Sequence, residues 1–138
     1  MKVIVKQVEG LAFIGKGESN HWVAIDGPKE FFGFEAGSRP MELLLIALGS
    51  CTGSDVAAIL KKKRVELNSF QVEVEGDRAE EHPRIYTRIH VKYVFEGRDL
   101  DESAIRRAIE LSWEKYCPIV AMLRKTVSMS YSYEIKRF

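Results

Sequence analysis

The chain has little cysteine, little histidine and almost no net charge. Two cysteines among 138 residues are too few for a fold stapled by disulfides, so each is either a buried small side chain or a reactive thiol. They lie sixty-six positions apart, at Cys51 and Cys117, which excludes a Cys-x-x-Cys redox motif and a compact zinc knuckle. The three histidines, His21, His82 and His90, form no ligand spacing with either cysteine, so neither a metal nor a cofactor is expected. Twenty-one basic residues against 20 acidic ones give a formal charge of +1, which supplies no strong field for nucleic acid or an anionic membrane surface. The one basic run, Lys61-Lys62-Lys63-Arg64, suits the C-terminal end of a helix, a phosphate patch being the other reading. Met1 to Lys6 is too short and too charged for a signal peptide, and no uninterrupted apolar run reaches the roughly 18 residues of a membrane span. These absences point to a cytoplasmic chain, and the lack of a Pro/Gly/Ser-rich linker or repeat points to one domain over residues 1–138.

Hydrophobic residues make up 46% and charged residues 30%, a balance that suits a folded domain. The first third reads as short strands, with Val3 and Val5 alternating with lysines, Leu11 and Phe13 after Gly10, and Trp22 and Ala24 leading to the turn signal Asp26-Gly27. Ser38-Arg39-Pro40 looks like a helix start, because proline is tolerated in the first helical turn. The apolar run Leu43 to Leu48 has no polar face and continues past Gly49 and Cys51 to Leu60, which predicts one long buried helix over about 40–63. Phe70, Val72 and Val74, and then Ile85 to Phe95, alternate with polar residues at the period of a half-buried strand. Asp99 and Glu102 resemble a capping box, and Ile105, Ala108, Ile109, Ser112, Trp113 and Tyr116 then share one helical face. That helix must break near Cys117, since Pro118 disfavours helical geometry in the residue before it. A short helix over about 118–124 and a strand from Val127 to Lys136 complete the chain.

The order of elements is that of an α+β fold, with antiparallel strands around a long central helix. A helix apolar on every side needs more cover than 138 residues readily provide, so a homodimer with this helix at or near the interface is expected.

Each cysteine admits two readings. Cys51 lies among Gly49, Ser50, Thr52, Gly53 and Ser54, a narrow and weakly polar stretch in which a reactive thiol or an inert core thiol would fit. Cys117 lies just outside a helix N-terminus, where free amides and the helix dipole would favour thiolate; a packed thiol filling a helix corner is the alternative.

The segment from Pro40 to Val56, with its Pro-Met-Glu-Leu-Leu-Leu opening and Gly-Ser-Cys-Thr-Gly-Ser centre, resembles the central-helix motif of the OsmC/Ohr family. Lys115-Tyr116-Cys117-Pro118-Ile119 resembles the family's second-cysteine motif, and the element order matches along nearly the whole chain. The resemblance implies an intertwined α+β homodimer with active sites at the subunit interface and a thiol peroxidase activity on organic hydroperoxides. It implies that Cys51 is the peroxidatic and Cys117 the resolving thiol, with an external dithiol or lipoyl-type protein as reductant. In the Ohr branch a glutamate directly follows the helix-opening proline and pairs with an arginine of the N-terminal strands. Here Met41 follows Pro40, the acid comes one place later as Glu42, and no arginine precedes Arg39, so the sequence resembles a less characterised OsmC-like branch.

Glu42 is retained as a candidate for activating the thiol, although nine residues of straight helix put it about 13 Å of rise and half a turn from Cys51, beyond contact within one chain. Asp55, one turn after Cys51, needs either a cation such as Lys16 or Arg39 or a role as hydrogen-bond acceptor. Phe31, Phe32 and Phe34 are candidate substrate-binding residues, core packing being the alternative. A non-catalytic protein binding a small apolar or thiol-reactive ligand on the same fold is the competing function.

Overall fold

A computed structural model describes every residue from Met1 to Phe138. The chain forms two compact units, Met1–Leu44 and Leu45–Phe138.

The first unit is a three-stranded antiparallel sheet in the order β1 (Ile4–Glu9), β2 (Ala12–Lys16), β3 (Val23–Ile25). Gly10, at φ 56°, occupies the left-handed region that turns β1 into β2. The buried carboxylate of Asp26 organises the loop that follows, accepting from the N–H groups of Gly27, Phe34 and Ala36 at 2.7, 3.1 and 3.2 Å. Burial pushes this carboxyl up, but the three amide bonds outweigh it and hold it below the usual carboxylate range. Phe31, Phe32 and Phe34 are 61%, 82% and 50% exposed, so core packing within the chain does not account for them.

Helix α1 (Pro40–Lys62) matches the expected bounds to one residue. Its amino end is capped by Glu42, whose carboxylate accepts from the Arg39 N–H at 3.1 Å, and its last turn carries Lys61 and Lys62. It is also long and apolar enough to cross a membrane, with a mean hydropathy of 1.9 over 18 residues, contrary to the count of uninterrupted apolar residues. Glycines, hydroxyls and Asp55 interrupt that run, but its leucines, isoleucines, alanines and valine keep the average high.

In the second unit α1 packs on a sheet of order β4 (Ser69–Arg78), β5 (Tyr86–Gly97), β6 (Ser128–Arg137). A Cβ on Gly49 would lie 3.0 Å from Val74, and one on Gly53 3.2 Å from Val72, so these glycines set how closely the helix approaches β4. Strands β4 and β5 pair antiparallel as expected, while β5 and β6 pair parallel, so this sheet is mixed. The connection between them contains α2 (Glu102–Leu111), a π-turn over Ser112–Tyr116 and α3 (Pro118–Leu123), long enough to return the chain to the same end of the sheet.

Two further details differ from the pattern reading. The cap of α2 is Asp101, accepting from the N–H groups of Ser103 and Ala104, not Asp99. A register shift at Asp77/Arg78 changes the alternation at the start of β5, so Tyr86 is buried and Ile85 exposed. The core consists of Ile89, Val91, Tyr93 and Phe95 of β5 with Leu48, Val56 and Leu60 of α1, Ile105 and Ile109 of α2, and Val120 of α3.

Candidate functional site

Cys51 stands in the middle of α1 and is partly exposed. Cys117 is the N-cap of α3, only 3% exposed. Its extended backbone (φ −77°, ψ 107°) is the geometry that Pro118 demands of its predecessor. Its Sγ accepts from the Val120 N–H at 3.4 Å. Both thiols are free, and the Cys51 thiol is near enough to act directly on Cys117.

The helix N-terminus does not activate Cys117 in this setting. Burial pushes the thiol up to about 11, with the Cys51 thiol adding to the rise and the Val120 and Ile119 amides opposing it. Of the two readings open for Cys117, burial favours the packed thiol, because desolvation of the charge outweighs the amides at the end of this short helix. Cys117 is therefore a neutral thiol at physiological pH. Of the pair, Cys51 is the one that solvent or a substrate reaches first.

Beneath the thiols runs a buried polar chain. Trp113 Nε1 donates to Tyr93 Oη at 2.8 Å, Tyr93 Oη is 2.6 Å from Thr52 Oγ1, and Thr52 Oγ1 is 2.6 Å from Ser112 Oγ. Ser112 Oγ in turn donates to Asp55 Oδ2 at 2.9 Å. Burial raises the Tyr93 phenol to about 12, against the lowering effect of its bonds to Thr52 and Trp113, and Cys117 contributes a further rise. The phenol thus remains protonated and neighbours the buried thiol. Asp55 is accounted for as an acceptor from Ser112, the second of the two roles open to it.

Thr52, Tyr93, Ser112 and Trp113 were not recognisable as a group in the sequence. The only signal was Ser112, a hydroxyl on the otherwise apolar face of the Ile105–Tyr116 helix. Of the other candidates, Glu42 is engaged at the start of its own helix, and Phe31, Phe32 and Phe34 lie in the loop held by Asp26.

Beside the Cys51 segment, α1 and β4 border an open groove of about 560 Å³, lined by Leu45, Ile46, Gly49, Gly53, Phe70 and Val72 among others. Ser50 and Ser54 also line it, and their hydroxyls turn back onto helix carbonyls, Ser50 onto Ala47 at 3.2 Å and Ser54 onto Ser50 at 2.7 Å. The groove wall is therefore more apolar than its sequence suggests.

Known proteins resemble this chain in sequence and fold. A model of the OsmC-like protein family matches residues 33–132. Protein YhfA of Escherichia coli (strain K12) is 42% identical over 135 residues, covering 98% of both chains. The crystal structure of a hypothetical protein from Aquifex aeolicus VF5 is 37% identical with a TM-score of 0.87, covering 99% of this chain and 96% of that one. The organic hydroperoxide resistance protein OhrB of Bacillus subtilis, 18% identical and covering 96% of each chain, shares the fold with a TM-score of 0.63. On the family match and the full-length identity to YhfA, the chain belongs to the OsmC-like protein family.

Proposed function

We propose that the chain is a thiol-dependent peroxidase that reduces organic hydroperoxides, with Cys51 as the peroxidatic and Cys117 as the resolving thiol. The observation that carries this reading is the proximity of two free thiols from distant parts of the sequence, one partly exposed and one buried. OhrB of Bacillus subtilis, an organic hydroperoxide resistance protein with the same fold, supports the substrate class.

The Cys51 thiolate attacks one peroxide oxygen, an S–O bond forms, the O–O bond breaks, and the alkoxide leaves as alcohol after taking a proton. The resulting sulfenic acid is then attacked at sulfur by Cys117; the hydroxyl departs as water with the Cys117 proton, and a disulfide remains. An external dithiol or lipoyl-type reductant returns two electrons and two protons. Cys117 has to give up its proton as its sulfur attacks, and the leaving hydroxyl is the group that takes it.

A homodimer in the cytoplasm belongs to the same reading. Ile46, 55% exposed on an otherwise apolar helix, and the apolar groove beside it are surfaces that a second copy would cover. We assign Phe31, Phe32 and Phe34 to the alkyl part of the substrate, and Glu42 to helix capping, with any effect on Cys51 arising only across the subunit interface.

The groove also supports a second reading, a non-catalytic protein that holds a small apolar or thiol-reactive ligand. Steady-state assays with cumene hydroperoxide and hydrogen peroxide, using a dithiol reductant, separate the two. The peroxidase reading expects faster turnover of cumene hydroperoxide and none by Cys51→Ser. No turnover of either peroxide by the fully reduced wild-type protein would remove the enzyme and leave the ligand-binding reading.

A further inference from the structure

The polar chain beneath the thiols has a direction. An indole N–H can only donate and a carboxylate can only accept, so the two ends determine the orientation of every hydroxyl between them. Ser112 spends its single hydrogen on Asp55 and must accept from Thr52. Thr52, having donated to Ser112, must accept from Tyr93, and Tyr93 accepts from Trp113. Donation therefore runs one way: Trp113, Tyr93, Thr52, Ser112, Asp55. Thr52 and Ser112 are both fully buried, and no buried side-chain polar atom lacks a partner.

The chain also joins the two thiol segments. Thr52 directly follows Cys51, and Asp55 is one turn beyond it on α1. Ser112 opens the π-turn that ends at Cys117, and its carbonyl accepts the Cys117 N–H at 2.8 Å. One residue thus grips the Cys51 helix twice through its side chain and the Cys117 backbone once through its carbonyl. An ordinary helical turn would offer Cys117 the carbonyl of Trp113; the π-turn supplies that of Ser112 instead.

The geometry points to Ser112 as the positioning residue of the thiol pair, holding the Cys51 and Cys117 segments together through Thr52, Asp55 and the Cys117 amide. It touches no substrate. It raises the effective concentration of one thiol at the other, so that the disulfide forms with little local rearrangement. Thr52 is its counterpart on α1. The inference rests on the two-thiol part of the proposed function and is independent of the peroxide.

The test needs no hydroperoxide. The full-length protein is equilibrated with reduced and oxidised dithiothreitol, quenched by alkylation, and the Cys51–Cys117 disulfide is counted by mass. In that exchange the protein dithiol passes two electrons and two protons to the dithiothreitol disulfide. Ser112→Ala is expected to lower the equilibrium constant for the protein disulfide about tenfold, the scale of one buried hydrogen bond. Thr52→Val should shift it in the same direction, Thr52→Ser should retain the wild-type constant, and the Ser112→Ala/Thr52→Val double variant should lose less than the product of the two single losses.

A purely structural role would lower the melting temperature and leave this constant unmoved, and that outcome overturns the inference. Additive losses overturn it as well. If Ser112→Ala does not fold, the contrast between Thr52→Val and Thr52→Ser decides in its place. A wild-type protein that forms no disulfide under any oxidising ratio removes both the two-thiol mechanism and the inference. A disulfide sensitive to Ser112 in a protein that turns over no hydroperoxide removes the peroxidase and leaves the inference standing.

Discussion

The two thiols stand side by side in very different surroundings. Cys51 belongs to a regular helix, is partly exposed, and has small residues on either side. Cys117 sits at a backbone discontinuity between a π-turn and a short helix, almost without solvent, beside the Tyr93 phenol. The helix end and the backbone amides act to stabilise a thiolate at Cys117, yet burial wins and the thiol is raised to about 11. The contrast teaches that in this setting burial outweighs the helix N-terminus, because the charge at Cys117 would be neither hydrated nor paired. Under the proposed function, the accessible thiol meets the oxidant and the buried one receives its product.

The largest effect expected from breaking this contrast comes from Cys117→Ser. Cys51 would still react with a hydroperoxide once, but its sulfenic acid would lack a partner. Steady-state turnover should fall to a single equivalent per protomer, with a dimedone-trappable adduct seen by mass spectrometry. Continued turnover by this variant would show that Cys117 is not the resolving thiol.

The packing under the Cys51 segment offers a smaller lever. Gly53→Ala places a methyl 3.2 Å from Val72, and Gly49→Ala places one 3.0 Å from Val74. Part of the helix-propensity gain from alanine offsets the clash, so a net loss of about 1–2 kcal/mol is expected from denaturant unfolding. A net gain would show that β4 yields easily and that close approach to the helix is not needed.

The pH dependence of stability sharpens the comparison further. Cys117 has a folded-state pKa raised from 9.0 to about 11, so the folded state keeps its proton longer than the unfolded chain. Its contribution to stability is complete below about pH 9 and is lost as pH rises through about 11. Tyr93, raised from 10.0 to about 12, extends the loss to higher pH. Urea unfolding of wild type and Cys117→Ser between pH 8 and 11 should show a steeper decline for wild type, and parallel declines would count against the buried neutral thiol.

Glu42→Gln should have the smallest effect. The glutamine oxygen still accepts from the Arg39 N–H, so stability should change by less than about 1 kcal/mol. The alkylation rate of Cys51 should stay within about twofold of wild type, since the carboxylate is engaged at the helix start. A larger fall would identify Glu42 as an activating group supplied across a subunit interface.

Much of the local structure was legible in the sequence because short-range rules govern it. Pro40 and the lysine cluster mark the two ends of α1, and Cys117-Pro118 marks the break between α2 and α3. Strand periodicity located β4, β5 and β6, but missed the register shift that buries Tyr86 in place of Ile85, because a bulge is a property of the paired strand as well. The parallel pairing of β6 was hidden for a similar reason: alternation along a strand says which side is buried and nothing about the direction of its neighbour.

By itself, then, the sequence determined the helices, the strands and the two cysteine-bearing motifs, since caps, prolines and periodicity act over a few residues. That two thiols sixty-six positions apart are neighbours was implied only by the family resemblance, and the tertiary structure alone decided that Thr52, Ser112, Tyr93, Trp113 and Asp55 form one directed chain. It also decided the sign of the shift at Cys117. Desolvation sums over everything packed around a group, and no local motif contains that sum.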